Sequence, residues 1–549
     1  MKYKFLLYFF LISIYSSAQT KQDSLQQIKD WAKWYDLDFT VAESDSMLGD
    51  VIDFTGIYIK MHRTLPSNNI PYPFSFQPAP YGFVIPTKQQ KINWNIPPNT
   101  SLPVNKNDLA FYSIPQLASL LKNKKISSVA LTTFFIERLK KWGDTLECVI
   151  TLTEDLALEQ AKQADEDLKK GIYKGPLHGI PYGLKDLFAV KGYKTTWGSA
   201  PYKEQVVDED AFVYTKLKNA GAVLCAKLSL GALAYDNKWF GGFTRNPWNL
   251  QQGSSGSSAG SAAATVAGLL PFSIGTETLG SIVSPSNRCG ATGLRPTFGT
   301  VSRSGAMVLC WSLDKTGPIC RSAEDAAIVY NYIKGTDGKD PSAVDHAFNY
   351  SNKADFKKLR IGYAENYFKA LSKDAPEWQV LEVYKSLGAT PKAVLFPDSV
   401  LYPFNMVDIV LSAESAAAFD ELTRTNRDDL IERQDKNFWP NIFRTARLIP
   451  AVEYINANRY RSQLCKGMNE FMKDYDVLIV PTFAGRQLSI TNLSGHPVVC
   501  FPISFNQKGL PQSITLIGNL YDEATILTVA KAFQDQTGHN KKYPGNFRN

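Results

Sequence analysis

The 549-residue sequence has few residues of the kinds that build disulfide frameworks or metal sites. Its seven cysteines contain no Cys-x-x-Cys pair, and its five histidines are scattered along the chain. This pattern excludes the common zinc modules and predicts neither a metal nor a cofactor. The odd number of cysteines leaves at least one unpaired or intermolecular, and we expect most of them to be buried free thiols.

The chain also has little excess of one sign of charge over the other. The formal net charge is +8, and Lys and Arg are interleaved with Asp and Glu without a long basic run. We therefore expect no nucleic acid partner. Hydrophobic residues make up 44% of the chain and charged residues 20%, as in average globular proteins, so broad disorder is excluded.

Long apolar runs are absent beyond the N-terminus. Lys2 and Lys4 precede an apolar run at 5–15, and small residues follow at 16–18. This order predicts a secretory signal peptide, cleaved after Ala18, and a protein exported to the periplasm or the extracellular space. The run is too short to span a bilayer comfortably, so we expect no membrane span in the mature chain.

Three regions follow from the pattern along the chain: the signal peptide 1–18, an N-terminal extension 19–106, and a main domain 107–549. The extension begins with a helical pattern and ends in a stretch rich in Pro and Asn. Proline removes a backbone donor and clashes with the preceding turn, so that stretch is not a regular helix.

The main domain alternates helix and strand patterns. Apolar residues spaced by three and four predict helices at 113–122, 128–141, 154–170, 258–270 and 522–538. Short apolar runs predict buried strands at 180–186, 222–228, 270–276, 476–482, 498–505 and 513–518. The predicted fold class is α/β, as one large domain whose mixed central β-sheet is covered by α-helices.

The stretch "GSSGSSAGSAAATVAG" at 253–268 allows three interpretations. A flexible linker is excluded, because the stretch runs directly into an apolar Ala-rich helix. An esterase elbow, G-x-S-x-G with Ser258 as nucleophile, needs a buried strand before it. The preceding "TRNPWNLQQGS" indicates a polar loop instead, and neither His496 nor His539 has the setting of a catalytic histidine. The third interpretation is a catalytic loop that works with motifs elsewhere in the chain.

Several ordered motifs support that third interpretation. They are "GIPYGLKD" at 179–186, "GSSAGSAAA" at 256–264, "GTETLGSI" at 275–282, "CGATGLRPT" at 289–297, and "NLSGHPVVCFPISF" at 492–505. Together they resemble the amidase signature family, and the resemblance covers roughly 108–533. The N-terminal extension is not covered by it.

The resemblance implies a Ser-Ser-Lys triad. Carried over to this chain, Ser281 is the nucleophile, Ser257 is the bridging serine after a cis peptide bond, and Lys185 is the base. A serine hydroxyl needs a neighbouring base to attack a carbonyl, and a lysine serves only when neutral. Its ordinary pKa of about 10.4 must therefore fall through burial. Ser258 has no proton transfer in this scheme. The alternative role for Ser257 is as the N-cap of the Ala-rich helix, but Ser258 is an equally good cap.

The resemblance also implies an oxyanion hole, in the loop that follows the predicted strand 270–276. The backbone N–H groups of Thr278, Leu279 and Gly280, together with that of the nucleophile, would face the developing negative charge. The commonest family pattern has Asp, Gly and Arg where Glu277, Leu279 and Val283 stand. Leucine keeps its N–H, although a left-handed backbone there would be costly. We expect these departures to affect substrate selection more than activity.

The implied function is that of an exported amidase, which hydrolyses a carboxamide C–N bond through an acyl-enzyme on Ser281. Its expected partners are a small-molecule or peptide amide substrate and, at most, a second copy of the chain. Three alternatives stay open: the glutaminase (A-type) subunit of a tRNA amidotransferase, a catalytically inactive binding relative, and the histidine-dependent esterase.

Overall fold

The computed structural model describes residues 20–63, 68 and 74–548. The predicted signal peptide, 1–18, lies outside the described residues. The chain divides into two compact units, Met1–Ile70 and Pro71–Asn549. The predicted boundary after residue 106 stays a prediction.

Within its described residues, the first unit contains two helices, α1 (Lys21–Lys33) and α2 (Val41–His62). Thr20 caps α1: its Oγ1 accepts from the N–H of Asp23 at 3.2 Å, and the Asp23 carboxylate accepts from the N–H of Thr20 at 3.1 Å. Such a reciprocal box satisfies two backbone donors that a helix start otherwise leaves unpaired, and so fixes where α1 begins.

The second unit holds the remaining helices and all the described strands. The helices are α3 (Ile114–Lys122), α4 (Ser128–Leu146), α5 (Glu154–Lys169), α6 (Phe212–Asn219), α7 (Ala259–Val266), α8 (Val283–Cys289), α9 (Ala323–Ile333), α10 (Glu365–Phe368), α11 (Pro376–Ser386), α12 (Asp398–Leu401), α13 (Met406–Ala418), α14 (Asp420–Arg424), α15 (Trp439–Ala446), α16 (Ala451–Met472), α17 (Gln487–Ser494) and α18 (Glu523–Thr537). The strands are β1 (Val149–Leu152), β2 (Pro181–Lys185), β3 (Val223–Leu228), β4 (Lys238–Trp239), β5 (Gly242–Phe243), β6 (Arg245–Asn246), β7 (Asn249–Gly253), β8 (Ser273–Glu277), β9 (Thr292–Arg295), β10 (Lys315–Cys320), β11 (Ile361–Ala364), β12 (Lys392–Val394), β13 (Val477–Pro481), β14 (Val498–Phe505) and β15 (Pro511–Gly518).

Eleven of these strands form one mixed sheet in the order β1-β3-β2-β8-β10-β9-β14-β15-β13-β11-β12. The pairs β3/β2, β2/β8, β13/β11 and β11/β12 are parallel, and the others are antiparallel. Helices α4, α5, α7, α9 and α18 contact its strands. This confirms the predicted α/β class with a mixed central sheet.

All five predicted helices and all six predicted strands of the main domain correspond to elements of the second unit, whereas its other eleven described helices and nine described strands were not predicted. The fully buried strands β2, β3 and β13 coincide with continuous apolar runs, as expected for strands covered on both faces. Residues 74–105 contain neither helix nor strand. For the described part of the Pro-rich stretch, this agrees with the prediction that it is not a regular helix. This stretch contacts the rest of the unit through aromatic pairs, such as Phe76 with Phe298 at 5.1 Å between ring centroids.

One local interpretation was wrong. The residues before the Gly/Ser stretch include a strand, β7, where the sequence indicated a loop. β7 is only half-buried and pairs with β6 in a two-stranded sheet apart from the central one, so it is not the buried strand that an esterase elbow requires. None of the helices in the described parts of the chain is long and apolar enough to span a bilayer.

Candidate active site

The site begins where two neighbouring parallel strands end. Strands β2 and β8 are paired with Gly183 opposite Ser273 and Leu184 opposite Ile274. Because parallel strands end at the same edge of a sheet, the last residue of β2, Lys185, lies beside the last residues of β8. The motifs "GLKD" and "GTET", almost a hundred residues apart, are thus adjacent in the fold.

The Gly/Ser stretch reaches this edge through a close backbone approach at Gly256. A Cβ atom there would lie 1.8 Å from the carbonyl oxygen of Asp236, so only glycine fits without rearrangement. The peptide bond between Gly256 and Ser257 is cis. Ser257 and Ser258 follow at the start of α7, and both are buried.

The amine of Lys185 lies among three hydroxyl groups. Its Nζ is 2.8 Å from the Oγ of Ser257, 3.1 Å from the Oγ of Ser258 and 2.8 Å from the Oγ1 of Thr276. The Lys185 side chain is fully buried, and no carboxylate lies within ion-pair distance of its amine among the described residues. Its strand neighbour Asp186 points elsewhere and pairs with Lys227 at 2.7 Å.

The hydroxyl of Ser258 has a fixed role in this group. It donates to the carbonyl oxygen of Thr276 at 3.0 Å and accepts from the N–H of Thr276 at 3.1 Å. Since its hydrogen is already used, Ser258 meets Lys185 as an acceptor. A neutral Lys185 can donate its two N–H bonds to Ser258 and Thr276, and its lone pair then faces Ser257. The predicted N-cap bond of Ser258 is absent: this residue precedes α7 without a side-chain capping hydrogen bond.

Burial lowers the pKa of Lys185 from its ordinary value of 10.5 to about 7, although the negative charges of Asp314 and Glu277 act in the opposite direction. Burial disfavours the ammonium form because it removes the water that would solvate the charge. At neutral pH a substantial fraction of this lysine is therefore an uncharged amine. That form is the one in which lysine can accept a proton from a serine.

The loop between β8 and α8 carries the second serine of the predicted triad. Ser281 lies there with 8% of its surface exposed, and its carbonyl oxygen accepts from the N–H of Ser258 at 3.1 Å. Gly280 has a φ of +87°, and this residue, not Leu279, adopts the left-handed backbone. Leu279 therefore carries none of the strain that the sequence raised as a concern.

The N–H groups of this loop are available to a ligand. Within the described residues, those of Thr278, Leu279, Gly280 and Ser281 donate no hydrogen bond to the protein. Four consecutive unpaired backbone donors next to a serine are suited to bind an oxygen that becomes negatively charged.

Glu277 holds this loop in place through hydrogen bonds to its carboxylate. One carboxylate oxygen accepts from the N–H groups of Ile282 and Val283, each at 2.9 Å, and the other accepts from Arg295 at 2.8 Å and from Asn492 at 2.9 Å. Burial would raise the pKa of Glu277, but the charge of Arg295 and these N–H bonds outweigh it and hold the pKa at about 2. The residue therefore stays ionised and fixes both ends of the loop.

Three residues at the site have no role in the triad scheme drawn from the sequence: Ser258, Thr276 and Asp314. Thr276 and Ser258 lie inside the recognised motifs, and only the fold reveals their contact with Lys185. Asp314 accepts a hydrogen bond from the Oγ1 of Thr278 at 2.6 Å, although 36 residues separate the two. No local pattern in the sequence signals a contact of that separation.

Histidine takes no part in these contacts. Among the described residues, none of Ser257, Ser258 and Ser281 is hydrogen-bonded to a histidine. His496 is buried against the Oγ of Ser494 at 2.9 Å, and burial lowers its pKa to about 3. The esterase alternative therefore lacks its base.

The cysteines and possible metal ligands were surveyed over residues 20–63, 68 and 74–548. All seven cysteines are buried free thiols. No group of three or more His, Cys, Asp or Glu side chains is arranged to hold a metal ion in this part of the chain.

Comparison with known sequences gives consistent matches. A family model described as Amidase matches residues 130–490. The A-type subunit of glutamyl-tRNA(Gln) amidotransferase from Coxiella burnetii is 32% identical over 479 residues, which cover 79% of this chain and 99% of that protein. Its counterpart from Acinetobacter baumannii is 33% identical over 486 residues, covering 79% of this chain and 98% of that protein.

A solved structure supports the same relationship. The peptide amidase from Stenotrophomonas maltophilia matches with a TM-score of 0.70 and 27% sequence identity, covering 79% of this chain and 98% of that chain. These proteins are thus matched over nearly their whole lengths, while part of this chain has no counterpart in them.

Proposed function

The chain belongs to the amidase signature family, and from this premise we propose that it hydrolyses a carboxamide C–N bond through an acyl-enzyme on Ser281. The observation that carries the proposal is the 2.8 Å contact between the buried amine of Lys185 and the hydroxyl of Ser257. A buried, partly neutral lysine beside a serine is a base with a ready proton path.

In the proposed first step, the Oγ of Ser281 attacks the amide carbon while its proton passes to Ser257 and the proton of Ser257 passes to Lys185. The negative charge then develops on the former carbonyl oxygen, where the free N–H groups of Thr278, Leu279 and Gly280 can bind it. Removing one such donor typically costs about 10²–10³ in rate in other enzymes.

In the second step the tetrahedral intermediate collapses, and the C–N bond breaks. Lys185 returns its proton through Ser257 to the leaving nitrogen, so that ammonia or an amine departs and an ester on Ser281 remains. Water then attacks this ester and loses a proton through Ser257 to Lys185. When the ester bond breaks, that proton returns through Ser257 to Ser281, so the acid is released and the serine is restored.

Labelling with a fluorophosphonate probe, followed by peptide mass spectrometry, tests the nucleophile. We expect one adduct, on Ser281, and ammonia release from at least one member of a panel of peptide, aryl and fatty acid amides. A protein that takes up no probe and releases no ammonia would be the inactive binding relative instead.

A second candidate is the glutaminase component of an amidotransferase. The sequence relatives favour it more directly than the exported amidase, because they are named as A-type subunits of glutamyl-tRNA(Gln) amidotransferase and match over 99% or 98% of their length. That name also weakens the expectation of no nucleic acid partner. Ammonia release from glutamine, compared with the simple amides of the panel, separates the two: a strong preference for glutamine supports this candidate, and its absence opposes it.

Export is the remaining part of the proposal, and it rests on residues 1–18 alone. Expression of the full chain with a C-terminal tag, followed by fractionation and N-terminal sequencing, tests it. Mature protein that begins at Gln19 outside the cytoplasm is the expected result. A soluble cytoplasmic protein that retains Met1 would contradict export and would favour the amidotransferase candidate.

A further inference from the structure

Asp314 lies in the loop that precedes β10 and contacts Thr278 of the oxyanion loop, residues 278–281. One of its carboxylate oxygens accepts from the hydroxyl of Thr278 at 2.6 Å. The other accepts from the N–H groups of Leu309 and Cys310, at 2.8 Å and 3.0 Å. Burial raises the pKa of Asp314 above its ordinary value, and these three hydrogen bonds oppose that rise because all three partners donate, as an ionised carboxylate requires.

The loop that carries Asp314 is held rigidly from two helices. Glu414 of α13 accepts from the N–H and the hydroxyl of Ser312, at 2.9 Å and 2.6 Å. Arg461 of α16 donates to the carbonyl oxygen and the hydroxyl of the same serine, at 2.7 Å and 2.8 Å. The aromatic ring of Phe76 covers the Arg461 guanidinium at 3.5 Å. Such a buried and satisfied network fixes one position for the loop.

Asp314 lies at the same edge of the sheet as the base, because the next residue, Lys315, is paired with Glu277 across β10 and β8. The negative charges of Asp314 and Glu277 both favour the ammonium form of Lys185 and so raise its pKa against the effect of burial. Glu277 is neutralised by its pair with Arg295 at 2.8 Å. Two basic groups lie near Asp314. Arg303 pairs with Asp340 at 2.7 Å and donates to the backbone carbonyl oxygen of Asp314 at 3.4 Å, and burial holds the pKa of Lys315 well below its ordinary value. The remaining groups that face the amine, on β8 and at the start of α7, are hydroxyls without charge.

We infer that Asp314 is a positioning residue for the proposed reaction: it orients Thr278 in the oxyanion loop and supplies the negative charge that the Lys185 ammonium faces after proton transfer. This inference rests on the proposed function. It assigns to one side chain two effects that can be separated, since the orientation of Thr278 depends on a hydrogen bond and the effect on Lys185 depends on charge.

The rate of fluorophosphonate labelling, measured from pH 5 to 10, separates the two effects. In the unaltered protein we expect the rate to rise through an inflection near pH 7, the pKa of Lys185. Asp314→Asn should move this inflection about one pH unit lower, because loss of a nearby negative charge destabilises the ammonium. It should also slow labelling at the plateau by about tenfold or more, since a misdirected N–H donor weakens oxyanion binding.

Matched variants supply the controls. Thr278→Val removes the hydrogen bond but no charge, so the plateau should fall and the inflection should stay; Thr278→Ser should restore the plateau. Asp167→Asn removes a carboxylate on α5 that contacts Gln163 and Lys174, outside the site, and should change neither quantity.

The outcomes are distinguishable. An Asp314→Asn protein with the inflection and plateau of the unaltered protein would overturn the inference while leaving the proposed function intact. If that variant does not fold, as judged by circular dichroism, the threonine pair decides: a Thr278→Val protein that labels at the normal rate overturns the inference. An unaltered protein without an inflection, or labelled elsewhere than on Ser281, would overturn both proposals.

Discussion

The Oγ of Ser258 lies 3.1 Å from the Nζ of Lys185. Its hydrogen is directed at the carbonyl oxygen of Thr276, so this serine holds the amine without exchanging a proton with it. The sequence analysis assigned Ser258 no proton transfer; the geometry agrees with that and adds a role in holding the base in position.

Replacement of Ser258 by alanine should therefore slow amide hydrolysis by about tenfold to a hundredfold, because a displaced base is a poorer base. Steady-state hydrolysis and the mass of the labelled peptide measure the effect, and the adduct should remain on Ser281. Ser261→Ala is the matched control, since Ser261 lies on the same helix and donates to the carbonyl oxygen of Ile274 at 3.0 Å. Equal losses in the two variants would mean that Ser258 is purely structural.

The two triad serines should respond differently to removal of their hydroxyl groups. Ser281→Ala removes the atom that becomes acylated, so covalent labelling and turnover should both disappear. Ser257→Ala leaves the nucleophile but interrupts its proton path. Labelling should then be slow but detectable, and hydrolysis should fall by about 10²–10⁴, the usual contribution of general acid–base catalysis.

Peptide mass spectrometry of each trapped variant decides the assignment. An adduct on Ser258 in the Ser281→Ala protein would restore the esterase elbow as an explanation. Lys185→Ala combined with Ser257→Ala should be little worse than the worse single change, because residues that act as one unit are not additive.

The activity of the unaltered protein should depend on the charge of Lys185. Its pKa of about 7 predicts that kcat/KM rises with pH through an inflection near that value, as the neutral amine forms. Lys185→Ala should lack this inflection and should recover partly at high pH, where hydroxide can substitute for the base. A pH profile that is the same in both proteins would exclude Lys185 as the base.

The sequence located the elements that carry the motifs, missed many of the others, and was a poor guide to the contacts between elements. The strands that end at Lys185 and Glu277 overlap the apolar-rich runs predicted at 180–186 and 270–276, so local composition located them. Helix starts at Ser113 and Ser127 carry capping hydroxyls, which are local signals as well. The order of eleven strands has no such local signal, because each neighbour is fixed by packing across the whole sheet.

The site shows the same division. The motifs identify the residues that carry the proposed reaction, but the partners that hold them in position come from distant parts of the chain. Asp314 reaches Thr278 across 36 residues, and Asn492 reaches Glu277 across 215. Hydrogen bonds of this range depend on the final fold, and residue spacing in a single sequence does not encode them.

Glu277 should contribute strongly to stability as well as to the shape of the oxyanion loop. Its pair with Arg295 is fully buried, and removal of one partner leaves an uncompensated charge in the interior. Glu277→Gln should therefore lower the free energy of unfolding at pH 7 by about 3–5 kcal/mol. Urea unfolding, followed by circular dichroism, measures the difference.

The pH dependence of that difference tests its origin. The pKa of Glu277 in the folded protein is about 2, below its ordinary value of 4.5, so its ionised form stabilises the fold above pH 4.5 and this contribution is lost as the pH falls toward 2. The gap between the unaltered protein and Glu277→Gln should therefore be constant above pH 5 and narrower at pH 3. Glu204→Gln, which removes an exposed partner of Lys194, should produce no measurable gap at either pH. A gap for Glu277→Gln that is equally wide at pH 3 and pH 7 would mean that side-chain packing, and not the charge of Glu277, stabilises the loop.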